Sequence, residues 1–434
     1  MRKKGDTMSE IKASIKIIEE IKNVLNSHSF MESNRNSEQA FTRKRKLPFF
    51  SLILFHLNLI KQSLQKELTE FMKVIGEQNV TKSAFCQQRL KLKSEAFIQL
   101  NEILVKEFYT DNVINEWNEY RLTAIDGSTL ELPKSDDILA TFGYVEHGKI
   151  VPMARISTFY DLLNNIIIDS QIASYNTNEY SLALEHLKTV KKNDLIIFDS
   201  GYGSIWLFYY LVLNKINFVI RIQRNFISEL DSFWESNENS KIIELIRCPD
   251  KSKIKLEEQG IDFKPFKIRA VKVLLENGEK EVLITSLLDE EKCPTKIFKK
   301  LYFKRWGIEV NYDHLKNHIE LGNFTGKSSL AIRQDFFANM LIANMQTIIA
   351  RDAQGEMDKE KKETKYEYKV NRNLSLGFMK DRVLQILTSN NPEYFKELKE
   401  LFKIEPVPIR ENRTFYREQE RKRKKFHMNK KRAH

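Results

Sequence analysis

The order in which strand-like and helix-like runs alternate between Arg121 and Ile222 constrains the fold most. RLTAIDGSTLELP (121–133) reads as strand, with a turn expected at Asp126-Gly127. Residues 150–173 hold two β-rich runs parted by DLLNN (161–165), a hairpin signal. A helical pattern follows over 178–190. Then come a short buried-type strand, DLIIFD (194–199), a turn over 201–204, a helix over 205–213 and another strand over 218–222. Three strands, then helix, strand, helix and strand, specify a mixed α/β sheet.

Helical patterns flank this core. Residues 1–40 are polar, with a short helix expected around 8–28. Pro48 suits the first position of a helix over 49–75. After a turn at 76–80, residues 81–91 and 95–109 read as helices, with Ser94 as cap of the second. Two helices about a tight turn are compatible with a helix-turn-helix. Gln87, Gln88 and Arg89 would then be able to reach base edges or phosphates. An ordinary helical bundle with polar outer residues fits the same pattern. Residues 225–290 alternate short apolar and polar stretches and end in a strand over 281–288, which reads as a β-rich insertion. A long helical pattern runs from Pro294 to about 321 and a second over 329–351. A charged linker (359–369), more helix (371–402) and a basic tail with RKRKK (421–425) and NKKR (429–432) complete the chain.

Lys and Arg total 71 against 59 Asp and Glu, a net of +12. That excess favours a polyanionic partner, nucleic acid or an anionic membrane surface. Part of it is concentrated in Arg43, Lys44, Arg45 and Lys46, which would suit DNA contact or a solvated surface equally. With 41% apolar and 30% charged residues the chain is neither a disordered tail nor a membrane protein. Its longest apolar run, 49–60, is interrupted by Ser51, His56 and Asn58 and is too short to cross a bilayer. The start, Met1-Arg-Lys-Lys, leads into polar residues, so secretion is not expected. Cys86, Cys248 and Cys293 are far apart and form no Cys-x-x-Cys pair, which suggests neither a zinc site nor a disulfide framework.

Asp126 and Asp199 each close a strand-like run. Carboxylates ending neighbouring strands, about 4.8 Å apart, can converge on one metal ion. Hard oxygen donors suit magnesium or manganese. An Asp before a Gly is also a common turn residue. The third piece is LYFKRWGIEVNYDHLK (301–316). At about 100° per residue, Tyr302, Arg305, Glu309 and Lys316 fall within one arc of about 60°. Such a stripe sets one carboxylate beside two cations and a phenol. A solvated face with an intrahelical Arg305–Glu309 pair is the alternative. His147 and His186 receive no role.

Tyr302-x2-Arg305-x3-Glu309-x6-Lys316 resembles the Tyr-Arg-Glu-Lys signature of the insertion sequence 4 family of DDE transposases. The block KRWGIEVNYDHLKNHIELGNFTGKSSLAIRQDF (304–336) is similar to the family's, and AIDGSTLELP (124–133) and DLIIFDSGYGS (194–204) fall in the expected order. FTRKRKLPFFSLILFHLN (41–58) and VTKSAFCQQRLKLKSEAF (80–97) resemble its N-terminal block. One departure is visible. The family commonly has Asp-Arg-Gly-Tyr-Pro at the second acidic site, where this chain has Asp199-Ser200-Gly201-Tyr202-Gly203.

The resemblance implies a ribonuclease-H-like mixed sheet with a β-rich insertion. It divides the chain into a helical N-terminal DNA-binding region (1–118), a catalytic core in two parts (119–224 and 291–352) around the insertion (225–290), and a helical C-terminal region with the basic tail (353–434). It implies that Asp126, Asp199 and Glu309 hold Mg2+ or Mn2+, two ions, while Arg305 and Lys316 hold phosphates and Tyr302 bonds a phosphate or packs on the DNA end. Trp306 is expected at the helix–sheet interface, and Trp234 in a small core rather than stacked on a base. The implied activity is cleavage at transposon ends and strand transfer into target DNA, by a homodimer on paired ends in the cytoplasm, associated with the nucleoid and not with a membrane. A nuclease without joining activity and a non-catalytic DNA-binding descendant are the alternatives, the latter resting on the altered second motif.

Overall fold

The computed structural model describes residues 7–410 apart from 112, 147, 276, 277 and 361–364. His147 and the basic runs at 421–425 and 429–432 lie outside the described residues. The core strands are β1 (Arg121–Glu131), β2 (Tyr144–Glu146), β3 (Ile150–Asp161), β4 (Ile166–Ser174), β5 (Asp194–Phe198) and β6 (Asn217–Ile222). Their order is β4-β3-β1-β5-β6, with β2 paired to the start of β3. β1 runs antiparallel to β3, and β3 to β4, while β1, β5 and β6 are parallel. This is the ribonuclease-H-like arrangement.

The insertion does not stand apart. β7 (Ser240–Leu245), β8 (Phe266–Leu274) and β9 (Lys280–Thr285) continue the same sheet, because β9 pairs antiparallel with β6. Short helices, Asp231–Glu235 and Asp250–Glu257, interrupt the strands. Trp234 is buried on the first of them, as expected.

The β1–β5 register decides where the carboxylates go. Arg121 is paired with Asp194 at the base of the two strands, and their side chains form a buried ion pair, Nη2 to Oδ2 2.6 Å. A slip by one residue would turn every side chain to the wrong face. The ladder runs up to Ala124 opposite Ile197. Two residues further, on the same face, stand Asp126 and Asp199. Leu122, Leu195, Ile197 and Val219 of that face pack against Phe298, Leu301 and Tyr302. Ile196, Phe198, Phe218 and Ile220 point the other way, into the main core with Leu207 and Phe208.

Several expected boundaries shift. No turn forms at Asp126-Gly127: β1 continues through both, paired to Thr158 and Ser157 of β3. The helix expected over 49–75 is two helices, Phe49–Leu57 and Leu64–Val74. The break is built: Leu59 takes a left-handed φ of 50°, Asn58 exchanges hydrogen bonds with Asp381, and Glu67 accepts from the amides of Lys61 and Gln62. The pattern over 371–402 resolves into Arg372–Met379, Arg382–Thr388 and Glu393–Phe402. Arg372–Met379, Glu393–Phe402 and Glu95–Asp111 pack against the long helix Ser329–Lys359, and Arg382–Thr388 packs on its neighbours in the C-terminal region and on helices Thr7–Leu25 and Phe49–Leu57. Among the described residues no helix is long and apolar enough to cross a membrane.

Candidate active site

Asp126 lies within β1 and Asp199 just past the end of β5, and each is tied to a neighbouring backbone amide. Asp126 Oδ1 accepts from the Gly127 amide at 2.8 Å. Asp199 caps the short 3-10 turn Ser200–Tyr202, its Oδ1 accepting from the Gly201 amide at 2.7 Å. Burial pushes the Asp126 carboxyl up to about 7, reinforced by the charges of Asp199 and Glu179 and opposed by the Gly127 amide and Arg305.

The segment bearing Glu309 winds over this face in three pieces: Phe298–Phe303, Trp306–Asp313 and a π-helical turn, His314–His318. Gly307 allows the approach, since a Cβ there would meet Leu162 Cδ2 at 3.1 Å. Arg305 is 8% exposed and its Nη2 donates to Glu309 at 2.7 Å, so the intrahelical pair exists. Its Nε is buried with no hydrogen-bond partner among the described residues, and so is the Tyr302 hydroxyl. The Tyr302 phenol is pushed up to about 12 by burial. Lys316 donates to Ser128 Oγ at 2.6 Å, on β1 two residues beyond Asp126. Burial lowers its ammonium, while Asp126 acts to raise it. All four signature residues therefore share one neighbourhood with the two aspartates. In this conformation no three His, Cys, Asp or Glu side chains among the described residues are gathered closely enough to share an ion; Glu309 is engaged with Arg305 instead.

Trp306 corrects its expectation. It is 46% exposed, with its ring 5.1 Å from the Arg305 guanidinium, because Ile308 takes the inward position on that turn. His186 is fully buried, bonded through Nδ1 to Asp169 at 2.6 Å and through Nε2 to Ser157 at 2.9 Å.

The N-terminal candidates divide. Arg43, Lys44, Arg45, Lys46 and Gln87 are exposed. Gln88 and Arg89 are buried and turned inward. Gln88 Nε2 donates to the Leu47 carbonyl at 3.0 Å. Arg89 donates to Gln334, Thr325, the Ala331 carbonyl and Asp335. The helix Glu95–Asp111 lies against Ser329–Lys359.

Four residues escaped the sequence reading. Glu179 starts the helix Glu179–Leu187, is paired with Arg155, and lies over Gly127, its Cδ 3.2 Å from where a Cβ would stand. Tyr202 is buried with an unpartnered hydroxyl among the described residues. Arg221 on β6 donates to Glu281 at 2.6 Å and to Ser200 Oγ at 3.4 Å, at the position where the resemblance would have placed an Arg. Tyr312 donates to the Asp126 carbonyl at 2.7 Å. Only Tyr312 left a signal: helical spacing puts it with Ile308 and Leu315 on the inward face.

A mixed sheet with two aspartates on adjacent strands, covered by a helical segment carrying Glu, Arg and Lys, is the frame of a DDE transposase. The family model described as Transposase DDE domain matches residues 117–345, more than half of the chain. The chain belongs to the DDE transposase family, whose members generally use divalent metal ions. It is 20% identical over 315 residues to the transposase InsG for insertion sequence element IS4 of Escherichia coli (strain K12), covering 70% of each chain. To y4zB of Sinorhizobium fredii (strain NBRC 101917 / NGR234) it is 29% identical over 102 residues, 24% of this chain and 28% of that one. The piggyBac transposase, solved as a synaptic complex with hairpin DNA, corresponds loosely, with a TM-score of 0.42 and 12% identity over 92% of this chain and 87% of that one.

Proposed function

We propose that this transposase cleaves DNA at the ends of its mobile element and joins those ends to target DNA, with Asp126, Asp199 and Glu309 holding two Mg2+ or Mn2+ ions. The observation that carries this reading is that Asp126 and Asp199 each stand two residues beyond the last paired rung of β1 and β5, Ala124 and Ile197, with the Glu309 helix packed against β1 and bonded to the Asp126 carbonyl. The donor set fits the ions: three carboxylates, all hard oxygen, one of them destabilised in its charged form by burial and by neighbouring acids. Such ions would activate the attacking water or 3′-hydroxyl and stabilise the leaving oxygen in an in-line displacement at phosphorus.

The chain's own groups do the rest. Arg305 is shared between Glu309, which it bonds, and Asp126, whose charge it feels. With Glu309 and Asp126 engaged by bound ions, the Arg305 guanidinium would be available to fork onto a DNA phosphate. Lys316 exchanges Ser128 for a second phosphate, and the unpartnered Tyr302 hydroxyl donates to the same strand. The exposed run 43–46, with Gln87, adds contacts to the DNA backbone from the N-terminal region, residues 1–118. The core spans 119–224 and 291–352, the insertion 225–290, and the C-terminal region 353–434. Two copies assemble on paired ends, because each end offers its own scissile phosphate. The chain works where its DNA is, in the cytoplasm at the nucleoid.

A joining assay with a pre-cut end and Mg2+ tests this. Strand-transfer products that vanish without metal support it. Cleavage without joining would select a nuclease, and end binding without either would select a non-catalytic descendant.

A further inference from the structure

We propose that Tyr312 is a positioning residue for the metal-binding carboxylates: its hydroxyl, wedged between β1 and β3 at Asp126, sets the depth at which the Glu309 helix docks and hence the spacing of Asp126 and Glu309. This rests on the metal-triad reading above.

Tyr312 lies one turn beyond Glu309 on the helix Trp306–Asp313 and is 6% exposed. Its hydroxyl donates to the backbone carbonyl of Asp126 at 2.7 Å. It accepts from Thr158 Oγ1 at 3.2 Å. Asp126 and Thr158 face one another across the two strands. One hydroxyl therefore bonds to both residues of the pair that carries a catalytic carboxylate. It joins three elements at one oxygen: the strand of Asp126, its neighbour and the helix of Glu309.

The same carbonyl has a second, independent support. Ser157 Oγ donates to it at 3.2 Å, and Ser157 is held in turn by His186, which is bonded to Asp169. That arm ties Asp126 to β3, β4 and the helix Glu179–Leu187, and among the described residues it makes no hydrogen bond to the Glu309 helix. Comparing the two arms separates support of a strand from spacing of a ligand pair. Groups outside the ligand set that orient ligands commonly matter about 10–100-fold in metal affinity.

The test is Mn2+ binding to the full chain without DNA, followed by electron paramagnetic resonance well below the melting temperature. Wild type should bind and Asp126→Ala should not; equal binding by both would sink the triad reading itself. Given that difference, Tyr312→Phe should bind about tenfold more weakly, and Ser157→Ala within about threefold of wild type. Binding by Tyr312→Phe at wild-type strength would overturn the proposal. So would equal weakening by Ser157→Ala, which would assign the effect to strand support alone. Should Tyr312→Phe not fold, Thr158→Val removes only the side-chain bond to the hydroxyl. It should weaken Mn2+ binding measurably, and wild-type affinity in that variant would count against the wedge.

Discussion

Arg89 and Arg305 are equally buried, at 3% and 8% exposed, yet they are different kinds of residue. Arg89 spends Nε and both Nη groups on Gln334, Thr325, Ala331 and Asp335. Asp335 is held below the usual carboxylate range against its own burial, by Arg89 first among the groups that favour its charge. Arg89 is a closed network that clamps the Lys82–Arg89 helix to the long helix. Arg305 has one strong bond, to Glu309, while its buried Nε and the buried Tyr302 hydroxyl have no hydrogen-bond partner among the described residues. A buried donor without a partner costs free energy, and a ligand phosphate relieves that cost. Burial alone does not distinguish a structural arginine from a functional one; the state of its remaining N–H groups does.

The largest expected effect is at the carboxylates. Asp126→Ala, Asp199→Ala and Glu309→Ala should each lower strand transfer by about a thousandfold or more while gel-shift binding of end DNA persists. Full activity in any one would remove that residue from the triad. Next comes the contrast of the arginines. Arg89→Ala should lose about 3–5 kcal/mol in denaturant unfolding, because Asp335 is left buried and unpaired. End affinity per folded molecule should stay as it was. For Arg305→Ala the pattern should invert, with a small stability change, end affinity down by about 1–3 kcal/mol and a salt slope shallower by about one. Matching behaviour of the two variants would erase the distinction.

Protons sharpen the picture at the metal. Asp126 sits at about 7 in the fold, above its ordinary value of 3.8. The fold thus binds the extra proton, and the stability this group contributes is complete below about pH 4 and lost as pH rises through 7. Asp126→Asn should therefore stabilise the metal-free chain at pH 8 by about 1–3 kcal/mol, less than the full shift because the side chain is only half-buried. Metal affinity runs the other way, since the ion takes the deprotonated carboxylate, and should fall about tenfold per pH unit below 7. A flat affinity between pH 5 and 7 would exclude Asp126 as a ligand. The smallest effect belongs to the exposed run: neutralising Arg43, Lys44, Arg45 or Lys46 singly should reduce the salt slope of DNA binding by at most about one unit.

Much of the site was legible because its signals are local or periodic. Asp199 ends a strand readable from five apolar-rich residues, and helical spacing alone gathered Tyr302, Arg305, Glu309 and Lys316. The strand around Asp126 was legible but its turn was not, since the pairing of Asp126 and Gly127 with Thr158 and Ser157 overrides the local Asp-Gly preference. Gln88 and Arg89 carried the composition of a DNA contact and turned inward, because their partners, Leu47 and residues 325–335, are distant in the chain. Trp306 was misplaced for a related reason: the 100° rule orders side chains around a helix but does not say which edge of the arc meets the sheet.

The sequence by itself determined the alternation of elements, the identity of the acidic and basic groups and their order along the chain, since these depend on neighbours within a turn or a strand. Only the tertiary structure decided that Asp126 and Asp199 stand on adjacent strands just beyond the Ala124–Ile197 rung, that residues 240–285 widen one sheet, and that Arg305 Nε, unlike the Arg89 donors, has no partner among the described residues. Those outcomes depend on which distant groups meet a side chain, and a one-dimensional pattern does not specify such meetings.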